Sequence, residues 1–207
     1  AAGINGANRL GGNSLSDLLV LGKLAGEHAA KYAKTNPAAS TPNDQIEDAA
    51  KWALAPFDRP PAENPYQVMH DLQDMMQDLV GIVRKEDEMV RALDGLEKLK
   101  ARAARCHVSG NREYNPGWHT AIDLHNLLAV SEGITRAAIL RKESRGAQFR
   151  DDYPTKNTKA FGRVNTVQWK AADGSMQIKL EPIPPMPEEL KEAIKAEGGG
   201  KLPEELV

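Results

Sequence analysis

What most restricts the fold of this chain is a threefold recurrence of apolar residues at helical spacing. Val68, Met69, Leu72, Met75, Met76, Leu79, Val80 and Val83 keep the i, i+3, i+4 rhythm of a helix with one buried face. Met89, Val90, Leu93, Leu96, Leu99 and Ala103 repeat it after the charged run Arg84-Lys85-Glu86-Asp87-Glu88. Ile122, Leu124, Leu127, Leu128, Ile134, Ala137 and Ala138 carry it a third time, behind Asn115-Pro116, a capping residue followed by a first-turn proline. Three such stripes bury one another, which predicts an antiparallel three-helix bundle. With 207 residues, 41% of them hydrophobic, the chain has enough apolar surface for a real core.

The flanks read differently. Residues 1–13 are rich in Gly and Asn, the composition of a loop with unusual backbone angles. Ser14 with Asp17 predicts a capping box, and Leu15, Leu18, Leu19, Ala25, Gly26, Ala29, Ala30 and Ala33 predict a helix over 14–34 that Asn36-Pro37 stops. A short helix is expected over 46–55, ended by the proline-rich stretch from Pro56 to Pro61. After the bundle, Asn165, Val167 and Trp169 alternate with polar residues, as do Met176, Ile178 and Leu180. Asp173-Gly174 lies between them, which predicts a β-hairpin. From Pro182 onward, prolines and Gly198-Gly199-Gly200 predict an extended tail. The expected architecture is mainly α, in three units: 1–35, a loop plus helix; 45–145, the bundle; and 146–207, hairpin and tail.

Charge and cysteine content exclude some functions. Lys+Arg number 27 against 29 Asp+Glu, so no basic field recommends nucleic acid as a partner. The single cysteine, Cys106, rules out an internal disulfide and an iron–sulfur cluster held by this chain. No apolar run approaches the roughly 20 residues of a membrane helix. Ala1-Ala2-Gly3-Ile4-Asn5-Gly6 has neither an initiator Met nor a signal-peptide pattern, the expected look of a chain that begins inside a larger protein.

Chemistry concentrates in Gly6-Ala7-Asn8-Arg9-Leu10-Gly11-Gly12-Asn13-Ser14-Leu15-Ser16-Asp17, which sets one arginine in a glycine-rich loop immediately before a helix. Free N–H groups and the positive dipole end at a helix start favour an anion or an electron-rich ring edge, and the Arg9 fork suits a carboxylate. A structural salt bridge of Arg9 is the plain alternative. Cys106-His107, His119, Asp123 and His125 match no metal-site spacing, so no metal site is predicted. Met69, Met75, Met76 and Met89 are expected to pack the bundle. Lys98, Lys100, Arg102 and Arg105 are expected to form a solvated helix face, with subunit docking as the alternative.

The loop resembles the active-site loop of succinate dehydrogenase and fumarate reductase flavoprotein subunits, usually worded close to HGANRLGGNSLLD. Arg141-Lys142-Glu143-Ser144-Arg145-Gly146-Ala147-Gln148-Phe149-Arg150-Asp151-Asp152-Tyr153-Pro154 is similar to that family's RTESRGAHxRxDxP run. Departures are Ile4-Asn5 before Gly6, Lys23 for a common arginine and Gln148 for a histidine. The resemblance implies that Arg9 grips a substrate carboxylate, and that the backbone of Ser14 and Leu15 touches the flavin ring of FAD. Residues 1–35 are then the end of an FAD-binding domain whose remainder, with its proton-transfer arginine, lies elsewhere, so no catalytic residue is assigned here. It further implies interconversion of succinate and fumarate by hydride transfer to FAD, with electrons passed to an iron–sulfur subunit and quinone. Membrane anchor subunits would be indirect partners, placing the protein peripherally on the cytoplasmic or matrix face of a membrane. The corresponding part of L-aspartate oxidase, and a non-enzymatic helical interaction module, are the alternatives.

Overall fold

The structure, a computed structural model, describes residues 13–196. Helix α1 (Asn13–Thr35) matches the predicted span but begins one residue earlier. Ser14 stands in its first turn, and the predicted capping box reaches positions outside the described residues. At the other end Thr35 Oγ1 donates to Lys31 O at 3.2 Å and Asn36 Nδ2 to Tyr32 O at 2.8 Å, the latter beside the Asn36 backbone N–H on the same carbonyl at 3.0 Å. Helix α2 (Asn43–Asp58) runs past Pro56, where an end was expected. Proline lacks the N–H for the bond back to Trp52, but it falls in the last turn, so little helix remains to be broken. Packing supplies the rest: the Pro56 carbonyl accepts from Val108 N at 2.9 Å and Ala53 O accepts from Trp118 Nε1 at 2.6 Å.

The bundle consists of α3 (Pro65–Val80), α4 (Glu86–Ala103) and α5 (Pro116–Leu140). Asn64 Oδ1 caps α3 by accepting from Tyr66 N at 2.9 Å, and Asn115 Oδ1 caps α5 by accepting from Trp118 N at 3.0 Å. Glu86, Asp87 and Glu88 occupy the first turn of α4 and Lys100 and Arg102 its last, each favourable to the helix dipole. Arg102 reaches back to Asp71 at 2.6 Å, so α3 and α4 are antiparallel; Lys100 to Glu132, with Met89 packed near Ala138, makes α4 and α5 antiparallel too. Thr135 against Met76 sets α5 parallel to α3. Val68, Leu96, Met89 and Leu124 are fully buried, and Met69, Met75 and Met76 pack on this core as expected.

Three expectations fail within the bundle. Val83, assigned to the first stripe, lies past the end of α3 in a short strand and is 53% exposed, and Val90, assigned to the second, is 47% exposed. Leu127 and Ile134, assigned to the buried stripe of α5, are 40% and 44% exposed, because the face carrying Leu124, Leu128 and Ala138 is the one that meets α3 and α4. The basic cluster is also less solvated than expected. Lys100 pairs with Glu97 and Glu132, Arg102 with Glu63 and Asp71, and Arg105 with Glu63, tying α4 to its neighbours.

A two-residue parallel ribbon closes one end of the bundle: β1 (Val83–Arg84) beside β2 (Phe149–Arg150), with Arg84 and Arg150 in register. Helix α6 (Thr158–Phe161) leads into the hairpin of β3 (Val164–Lys170) and β4 (Met176–Pro182). The hairpin is antiparallel as predicted. Asp173 Oδ1 accepts from Ser175 N at 2.9 Å and Gly174 adopts φ +86°, a conformation glycine takes without strain. The extended-tail expectation is corrected by α7 (Glu188–Ala196). There Leu190, Ala193 and Ile194 fall at helical spacing behind Pro187, with acidic residues at the start and Lys195 at the end.

Candidate functional site

Of the predicted site residues, Arg9 lies outside the described residues, as does most of the loop around it. Ser14 is half-buried in the first turn of α1, and Leu15 beside it is 67% exposed. No acidic side chain occupies that first turn, where the positive end of the helix dipole lies. The arrangement fits an electron-rich ring edge or an anion at the helix start. Ser16 and every residue of α1 from Leu18 to Thr35 are exposed.

The second motif has a different task. Glu143 is completely buried. Its Oε1 accepts from Arg141 Nη1 at 2.7 Å and Arg145 Nε at 2.8 Å, and its Oε2 accepts from the Asn157 amide at 2.7 Å. Burial pushes this carboxyl up; the bonds from Arg145, Asn157 and Arg141 more than offset that and hold it below the ordinary range. Arg150 is also 0% exposed. It binds Asp152 through Nε at 2.7 Å and Nη2 at 2.6 Å, approaches Glu86 at 3.3 Å, and donates to Ala138 O at 2.7 Å. Asp152, held low chiefly by its bond from Arg150, also accepts from Glu86 N at 3.0 Å at the start of α4.

Gln148, where the resembling family has histidine, uses its amide fully. Nε2 donates to Arg141 O at 2.9 Å and Glu143 O at 3.2 Å, while Oε1 accepts from Arg84 Nη1 at 3.2 Å. The run from Arg141 to Pro154 is thus a joint between bundle and hairpin, built on two buried ionic centres. Sequence reasoning missed the burial of Glu143, Arg150 and Glu132. The only local signal was the density of opposite charges within a few residues.

The other candidates do packing work. Cys106 is buried, with its thiol pushed up by burial and Glu63. His119 lies against Trp118 and His125 against Trp52, with ring centroids 5.8 and 5.5 Å apart. Among the described residues no three His, Cys, Asp or Glu side chains converge on a metal position. No helix among them is long and apolar enough to cross a membrane.

Comparison with known proteins bears on both motifs. Residues 69–194 match the family described as fumarate reductase flavoprotein C-term. The succinate dehydrogenase flavoprotein subunit of Coxiella burnetii is 35% identical over 88% of this chain and 32% of its own length. The fumarate reductase flavoprotein subunit of Haemophilus influenzae is 32% identical over 88% of this chain and 31% of its own. The structure of the Mycobacterium smegmatis Sdh1 complex in the apo form superposes with a TM-score of 0.77 at 42% identity, covering 97% of this chain and 35% of that one. The chain spans about a third of the length of the curated relatives it matches. It belongs to the succinate dehydrogenase/fumarate reductase flavoprotein family and corresponds to the C-terminal portion of such a subunit.

Proposed function

We propose that this chain completes a flavoprotein that interconverts succinate and fumarate, and that it is inactive by itself. The observation that carries this reading is the first half of α1. Leu15, Leu18, Leu19, Val20, Leu21 and Leu24, at 100° per residue, point to every side of the helix, and each is at least 43% exposed. A helix apolar all round belongs inside protein. Its host, in this reading, is the rest of the FAD-binding domain, of which residues 1–35 form the end, followed by the helical unit 45–145 and the C-terminal segment 146–207.

Within that setting, Arg9 binds one carboxylate of the dicarboxylate, its planar fork matching the two oxygens. The backbone at Ser14 and Leu15 meets the flavin ring, where open N–H groups favour negative charge. FAD, when bound, supplies the hydride acceptor and donor. The exposed Leu15 side chain excludes water from the ring edge once the host domain covers it. No residue of this chain moves the substrate proton; that group belongs to the remaining part of the subunit. Electrons leave through an iron–sulfur subunit towards quinone, and membrane anchor subunits hold the assembly peripherally on the cytoplasmic or matrix face.

The test is Arg9→Ala in the complete flavoprotein. Succinate oxidation should collapse while flavin absorbance is retained, since losing one partner of a desolvated charge pair costs about 2–5 kcal/mol or more. Near-normal turnover at low succinate would remove Arg9 from the site.

A further inference from the structure

A cleft of about 640 Å³ opens between α5, the end of α4 and the inner side of the β3–β4 hairpin. One hydrogen bond crosses it from hairpin to helix. Gln168 Nε2 donates to Gly133 O at 2.6 Å, and a Cβ on Gly133 would come within 2.8 Å of Gln168 Oε1, so a larger residue there would displace this side-chain amide.

The polar groups lining the cleft divide into those already satisfied and those open. Glu132, 6% exposed, accepts from Lys100 Nζ at 2.5 Å and Arg136 Nε at 2.6 Å, and Lys100 also binds Glu97 at 2.7 Å. This set compensates itself. His125 and Lys170 make no hydrogen bond or ion pair among the described residues. His125 is kept neutral by burial and by nearby Arg59, which leaves one ring N–H to donate. Leu128, Ala129 and Met176 provide apolar wall.

We infer that this cleft is a binding site for an organic anion, a carboxylate on a compact hydrocarbon or aromatic frame. The frame lies on Leu128, Ala129 and Met176, and the carboxylate takes the Lys170 ammonium and the His125 N–H. The volume lies within the range usual for small-molecule sites, which likewise pair apolar walls with a few open polar groups. A cation would meet Lys170 with no open carboxylate opposite, because Glu132 is already paired twice.

The experiment titrates 2-naphthoate into the complete flavoprotein, with excess succinate filling the proposed dicarboxylate site, and follows it by ligand-observed NMR. Neutral 2-naphthamide is the matched control. One saturable site is expected, weakened about tenfold or more by Lys170→Glu, by His125→Leu and by the change to the amide. Lys170 is exposed, so its variant keeps the test decisive should His125→Leu fail to fold. Absence of saturable binding, equal affinity for the amide, or a Lys170→Glu protein that binds 2-naphthoate unchanged would each overturn the site.

Discussion

The α3–α5 bundle and α1 are made of similar residues and end in opposite circumstances. In the bundle the leucines and methionines occupy one side of each helix, and Leu96, Leu124 and Met89 are fully buried. On α1 the leucines surround the helix, and Leu18 and Leu19 are 69% and 74% exposed. The difference lies in pattern more than in hydrophobicity. A one-sided stripe is satisfied by two similar helices from the same chain, whereas an all-round apolar helix needs a host that encloses it. The bundle is thus a self-sufficient core, and α1 a part awaiting its surroundings.

The strongest way to break this contrast is to attack the joint that closes the bundle. Arg150→Ala strands Asp152 and leaves Ala138 O without its donor; the expected loss is about 3–5 kcal/mol in urea unfolding of the chain. A change below about 1 kcal/mol would show that the bundle does not depend on this joint. The contrast is sharpened by making one deletion in both regions. Leu96→Ala should cost about 2–5 kcal/mol, while Leu18→Ala should shift the stability of the chain by no more than about 0.5 kcal/mol. In the complete flavoprotein Leu18→Ala should become costly, and equal effects in chain and subunit would contradict the enclosed-helix reading. The mildest perturbation is acid. Glu143 and Asp152 are both held below their ordinary range, so the stability they confer is full above about pH 4.5, the unfolded carboxylate range, and is lost as pH falls through their folded values. Thermal melts should show the bundle weakening over that window with little change in the helicity of α1.

What was legible in the sequence follows the same division. Periodicity placed the three bundle helices, Asn115-Pro116 marked a start, and Asp173-Gly174 marked the hairpin, because each depends on residues close together in the chain. Pro56 misled because its effect depends on position within the last turn and on Val108 arriving from another segment. Residues 188–196 were hidden behind their proline-rich approach, although Leu190, Ala193 and Ile194 carried the spacing. Leu127 and Ile134 were assigned to the wrong side, since α5 is apolar over most of its circumference. Glu143 and Arg150 read as ordinary surface charges, for their burial depends on Asn157, Glu86 and the end of α5, none of which local spacing reveals. The site loop was legible only through the wording of its motif.

The ribbon of β1 and β2 has a consequence for how the bundle can exist at all. Because α3 and α5 run parallel, their carbonyl ends emerge side by side, each equivalent to about half a negative charge. Two such ends repel, and the positive N-terminal end of the antiparallel α4 beside them offsets about one of the two. Arg84 donates to Val80 O and Gly81 O at the end of α3, and Arg150 to Ala138 O at the end of α5, so two cations in register face two like dipole ends. The cation for α3 follows it by a few residues, but the one for α5 arrives only after a further turn of chain. The last turn of α5 is therefore completed from outside the helix, by a residue that reaches it only where the chain turns back to pair with β1.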